Sequence, residues 1–244
     1  MKNKIASLLV CMLVITALFS ITVSAIDIRF SRSEQLLVAS SYGKSMDLKN
    51  NDVVIELLQQ MDEALILGYL EDLVSFGPRV TGQTSCEAAG TFLYNEFQSM
   101  GLEVRYHHWT SGSYTSRNIE ATLPGVDETS DEIYIVCGHY DSVAGSPGAD
   151  DDASGVVAAL GAAYLMSQYS FNHTVRFVAF SGEEQGLLGS QRYVTEAVGN
   201  GDNIVGTLNA DMIGFTQYAN DGNLVKIFSN TQSHWLFTFT SMVN

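Results

Sequence analysis

Cysteine is scarce in this 244-residue chain, with Cys11, Cys86 and Cys137 its only three. So few exclude a disulfide framework, and Cys86 and Cys137 read as two buried free thiols, one in a helix and one in a strand. Positive charge is scarce too: 12 Lys and Arg stand against 27 Asp and Glu, for a formal net charge of −15. That balance argues against nucleic acid or an anionic membrane as a partner, because both would repel the chain. Beyond position 25 no apolar run is long enough to span a bilayer. Internal repeats and low-complexity segments are absent as well, which removes solenoids and repeat arrays from consideration.

The start of the chain is different. Lys2 and Lys4 precede an apolar run over 5–23, and Val23-Ser24-Ala25 is a small-residue cleavage site. This is the three-part layout of a secretory signal peptide, so 1–25 is expected to be removed and the mature chain to be extracellular; the alternative is an uncleaved membrane anchor, for which the run is near the lower length limit. Residues 26–57 are polar and mixed and read as a linker or propeptide-like extension, leaving 58–244 as one sizeable folded domain. Asn172-His173-Thr174 matches a glycosylation sequon by pattern alone.

Periodicity places the elements. Leu57, Leu58, Met61, Leu65, Leu70 and Leu73 form one stripe of a helix over 56–73, which Gly77-Pro78 ends. The turn Arg79-Val80-Thr81-Gly82 follows. A second helix opens at Thr84, with Ala88, Phe92, Phe97 and Met100 toward the core and Gly101 at its end. Strands are expected at 103–109 and 117–123, then as buried runs at 132–138, 174–180 and 204–210, with a further one at 224–229. Helices fall at 153–167, 187–198 and 231–243. Such alternation predicts an α/β domain: a mixed, largely parallel central sheet with helices on both faces.

Three of the buried strands end alike. The first stops at His139-Tyr140-Asp141, the second at Ser181-Gly182-Glu183-Glu184, the third at Asp211. If they are parallel neighbours, these groups meet at the carboxyl rim of the sheet, where open α/β sheets bind ligands. The loop after the first strand adds Asp150-Asp151-Asp152 directly before a helix. Taken singly, an Asp triplet there is a helix cap, and a Glu pair is solvated surface. Together, one imidazole and several carboxylates repel one another without a cation. Zinc suits that donor set best, with cobalt or manganese also open. Two metals would need a carboxylate reaching both, and a short Asp in a Gly-flanked loop can do this.

Four segments follow in order: Gly138-His139-Tyr140-Asp141-Ser142; Ser146 to Val156, containing the Asp triplet; Phe180 to Ser190, containing Glu183-Glu184; and Asn209-Ala210-Asp211-Met212-Ile213-Gly214. Over about residues 70–213 this strongly resembles the secreted zinc aminopeptidases typified by bacterial leucyl aminopeptidase and aminopeptidase Y. The resemblance implies a zinc exopeptidase fold and peptide or protein substrates. It assigns His139 and Asp211 to one zinc, Glu184 to the other, and Asp151 as the bridge. Asp150 and Asp152 would not be ligands, Asp141 would orient His139 through its second ring nitrogen, and Glu183 would be the general base. The family also takes a His well downstream of Asp211. Of the five His, His107 and His108 lie on an early strand, His173 precedes its strand, and His234 sits outside the family's motif. The chain is therefore expected to stop before its last metal ligand and to hold one zinc well. Carboxypeptidase or dipeptidase action, a glutaminyl cyclase-like acyl transfer and an inactive metal-binding module remain alternatives.

Overall fold

The computed structural model describes residues 57, 59–216 and 226–236. The expected signal segment and most of the extension lie outside these. Helix α1 spans Glu63–Ser75, and the Asp62 side chain caps it by accepting the Ala64 N–H at 2.8 Å. The apolar stripe predicts one helix over 56–73, but residues 57 and 59 are helical, residues 60–62 turn into that cap, and α1 begins only at Glu63. Helix α2, Thr84–Ser99, buries Cys86, Ala89, Gly90, Leu93 and Phe97. Ala88 is exposed and Phe92 and Met100 are half-buried, so the inward stripe is rotated from the expected one. Gly90 explains the rotation: a Cβ there would come within 3.0 Å of the Tyr140 hydroxyl, so the helix backbone itself packs on the sheet.

Strands β1 (Glu103–Ser111) and β2 (Tyr114–Leu123) form a hairpin. After them come β3 (Glu132–His139), α3 (Ala153–Met166), β4 (Thr174–Phe180), α4 (Leu188–Asn200) and β5 (Asn203–Asn209). The sheet order is β1-β2-β4-β3-β5, with β4, β3 and β5 mutually parallel, β2 antiparallel to β4, and β1 antiparallel to β2. Every residue of α3 except Tyr164 is buried, as befits a helix apolar all round. It packs with α1 and α2 on one face, where Leu73, Leu93, Phe97, Val136 and Phe177 build the main core. On the other face Tyr193 of α4 meets Ile133, Ile135, Cys137 and Val178. The mixed sheet with helices on both faces is therefore present, and Cys86 and Cys137 are buried and free.

Two expectations need correction. The run at 204–210 reads as a buried strand, but β5 lies at the edge of the sheet formed by the described residues and alternates between exposed and half-exposed residues. Among the described residues it pairs with β3 alone. The strand expected at 224–229 is not formed where it is described, since 226–230 carry no regular structure. Of the helix expected at 231–243, residues 234–236 are helical and 237–243 lie outside the described residues. No described helix is long and apolar enough to cross a membrane.

Candidate metal centre

Because β4, β3 and β5 run parallel, their carboxyl ends share one rim. His139 pairs with Phe180 across β3–β4, and Cys137 with Asn209 across β3–β5. Two residues beyond Asn209, Asp211 comes level with His139. That alignment depends on an irregularity no periodicity reveals. Ile133 faces Ile204, but Tyr134 faces Gly206, so Val205 is an extra residue in β5. An unbroken ladder would bring Ala210 level with His139 instead, and the acid would turn to the other face.

The three consecutive acids divide their work. Asp150 Oδ1 accepts the N–H groups of Gly214 at 2.8 Å and Phe215 at 2.9 Å. Asp152 is fully buried and caps α3, accepting from the Gly155 N–H at 2.9 Å. It also accepts from the His139 N–H at 3.0 Å and the Met212 N–H at 3.3 Å. Both outer acids thus serve the backbone. Asp151 stands apart, its side chain 47% exposed and its Oδ1 3.1 Å from His139 Nε2.

His139, Asp151 and Asp211 each offer an atom, and these lie within 4.8 Å of one another; no other such group occurs among the described residues. Nδ1 of His139 sits 3.2 Å from the Asp141 carbonyl and 3.5 Å from its Oδ1, which leaves Nε2 facing Asp151. The ring is therefore steered by the main chain of Asp141 at least as much as by its carboxylate. That buried carboxylate has other partners: the Thr81 hydroxyl donates to it at 2.9 Å, the Glu183 N–H at 3.2 Å and the Glu184 N–H at 3.3 Å. Asp141 thus carries the turn between β4 and α4 that presents the two Glu. Glu183 Oε2 lies 3.9 Å from His139 Nε2. Glu184 stands outside the group of three, and its Oε1 is buried without a hydrogen-bond partner.

Electrostatics mark the cluster as short of positive charge. Burial raises Glu183, with Asp141, Asp211 and Asp151 adding to it against His139. Burial and then Asp151 raise Glu184. Asp211 is raised by burial and by Asp151 and Asp150. Burial alone would lower His139, but its hydrogen bond to Asp141 and the charges of Asp152, Asp141 and Glu183 push it up to about 9. A divalent cation would offset the crowded carboxylate charge and take the place of the His139 proton, and an imidazole nitrogen with carboxylate oxygens is a donor set that fits zinc. The unpartnered Glu184 oxygen is a further donor without a proton partner.

The other histidines lie elsewhere. His107 and His108 are on β1, and His173 precedes β4. His234 is exposed on a short helical turn whose neighbour Leu236 packs on Tyr134, at the opposite end of β3 from His139. Two residues that pattern alone noted without a role are Arg79 and Thr81. Arg79 is fully buried, donating from Nε to the Tyr140 carbonyl at 2.6 Å and from its terminal nitrogens to Leu73, Pro147 and Gly148 carbonyls.

The sequence model of peptidase family M28 matches residues 118–240. A probable zinc metalloprotease of Pyrenophora tritici-repentis is 34% identical over 196 residues, covering 68% of this chain and 45% of that protein. Leucine aminopeptidase 1 of Paracoccidioides brasiliensis is 28% identical, covering 70% of this chain and 48% of its own length. Among solved structures, LapB from Legionella pneumophila shares the fold at a TM-score of 0.64 and 22% identity, over 79% of this chain and 55% of its own. The rim of zinc-competent donors thus sits in a chain that belongs to peptidase family M28. The chain spans less than half the length of the two curated relatives just described.

Proposed function

We propose that this chain is the metal-binding catalytic unit of a zinc-dependent exopeptidase that removes N-terminal residues from peptides. The observation that carries this reading is the convergence of His139, Asp151 and Asp211 within 4.8 Å, beside the Glu183 carboxylate. His139 offers Nε2 because Asp141 engages Nδ1. Asp151 is free to ligate because its two neighbours hold the backbone. Glu184 and the far oxygen of Asp151 are proposed to hold a second zinc. Zinc bound at this rim supplies Lewis acidity, polarising a scissile carbonyl and acidifying water.

Glu183 then takes the proton of the attacking water and returns it to the leaving amine. Its turn is fixed by the backbone bonds of Glu183 and Glu184 to Asp141, so the carboxylate approaches from a set direction. The acid-rich rim also suits a substrate's free, positively charged amine. That favours attack at the N-terminus of a peptide, in keeping with the leucine aminopeptidase among its relatives. The Lys2/Lys4, apolar and Val23-Ser24-Ala25 start supports placing this activity outside the cell.

The test is to titrate zinc into the chain while assaying an amino-acid p-nitroanilide, its N-acetylated form and a peptide beginning with glutamine. Zinc-dependent release from the free-amine substrate alone is expected. Equal cleavage of the acetylated form, or cyclisation of the glutamine peptide without hydrolysis, contradicts the reading.

A further inference from the structure

Thr81 lies in the turn between α1 and α2, 60 residues from Asp141 and 101 from Gly182 in sequence. It is 4% exposed and touches both. Its hydroxyl donates to Asp141 Oδ2 at 2.9 Å and accepts the Gly182 N–H at 3.0 Å. The direction is fixed by the amide: the Gly182 N–H can only donate, so the hydroxyl oxygen accepts it and its own proton points to Asp141 Oδ2.

Both ends of this link bear on the rim. Asp141 holds the His139 ring on one side and the N–H groups of Glu183 and Glu184 on the other. Gly182 immediately precedes that Glu pair, at φ +74°, and a Cβ there would come within 2.7 Å of the Trp109 ring. Trp109 Nε1 in turn donates to Ser181 Oγ at 3.0 Å. The Gly182 N–H therefore has little freedom to find another acceptor. Thr81 itself is held from two residues upstream, where Arg79 donates its N–H to Ser142 Oγ at 2.9 Å and accepts the Ser142 N–H at 3.1 Å.

We propose that Thr81 is a positioning residue whose hydroxyl couples the His139–Asp141 strand end to the Gly182–Glu184 turn, so that imidazole and carboxylate donors are presented in one geometry. This deepens the zinc reading and rests on it for its effect on metal. Removing the hydroxyl while keeping the shape leaves the buried Gly182 N–H unpaired and takes one donor from Asp141, freeing the carboxylate to turn. Partners behind metal ligands typically matter by about 10–100-fold in affinity.

The test compares the chain with Thr81→Val and Thr81→Ser. Amide hydrogen exchange is followed by NMR in zinc-free protein, and zinc affinity by chelator competition together with the visible spectrum of the cobalt-loaded site. Thr81→Val is expected to speed exchange at Gly182, Glu183 and Glu184 together, to weaken zinc by about 10–100-fold and to alter the cobalt band. Thr81→Ser keeps the hydroxyl and is expected to match the parent in all three. Faster exchange at Gly182 alone, with zinc affinity unchanged, overturns the coupling. So does a Thr81→Ser variant that loses zinc, a result that decides the matter even if Thr81→Val does not fold. Should the parent bind no zinc, the zinc reading fails, while the exchange pattern still decides whether Thr81 couples the two segments.

Discussion

Asp152 Oδ2 accepts the backbone N–H of His139 at 3.0 Å, so the strand end that presents the imidazole is tied to the first turn of α3. Its neighbour Asp151 meets the same residue at the ring instead. Two adjacent carboxylates thus hold one histidine from different sides, one by its main chain and one at its ligand atom.

This division predicts opposite phenotypes. Asp152→Ala removes a helix cap and leaves buried N–H groups unpaired, at a cost of roughly 2–4 kcal/mol. Asp151→Ala removes a half-exposed side chain and is expected to leave stability nearly unchanged while abolishing tight zinc binding. Urea unfolding of zinc-free protein and a zinc titration of each variant check this. A large stability loss in Asp151→Ala with zinc binding retained contradicts the assignment.

Glu183 and Glu184 share a turn but not a role in the proposed mechanism. Glu183→Ala is expected to keep its metal and lower turnover by about 10²–10⁴-fold. Glu184→Ala is expected to lose metal as well. Metal analysis alongside kinetics separates the two, and exchanged phenotypes would reverse the roles.

Much of the rim was legible because apolar runs ending on a ligand record strand, buried face and carboxyl end at once. The strands ending at His139 and before Glu183 lie where periodicity places them. The level of Asp211 was not legible, because it hangs on the extra residue Val205 in β5. Nor were the partners of Asp141. Its bonds to Thr81, Glu183 and Glu184 span 60, 42 and 43 residues, and such distant pairings are set by how turns pack, which no local pattern encodes. For the triplet, the resemblance singles out Asp151 and excludes its neighbours as ligands; what no local pattern shows is which backbone groups Asp150 and Asp152 hold, since these belong to α3 and the 211–215 turn.

Away from the rim, His107 gives a pH signature of the fold. Burial is the main cause that lowers its pKa from 6.5; Glu196 opposes this, Arg105 adds to it, Glu120 opposes it and His108 adds to it. Its Nδ1 accepts from Asn118 Nδ2 at 2.9 Å, and its Nε2 lies 3.4 Å from Glu196, with the Tyr193 ring edge-on. The folded state therefore binds this proton less readily than the unfolded state. Its contribution is complete above the unfolded value of 6.5 and is lost as pH falls from there through the folded value. Unfolding free energy should decline with acidification across that window in the parent, and this component should vanish in His107→Gln. Identical pH slopes in both proteins would show that His107 keeps its ordinary pKa.

The proposed chemistry of the rim depends on where a metal sits. The most direct measurement is an anomalous difference map at the zinc edge from crystals of the chain grown with zinc. A peak about 2.0–2.2 Å from His139 Nε2 and from carboxylate oxygens of Asp151 and Asp211 is the predicted result. A zinc peak elsewhere in the domain, or none at this rim while the protein is zinc-saturated, would contradict it.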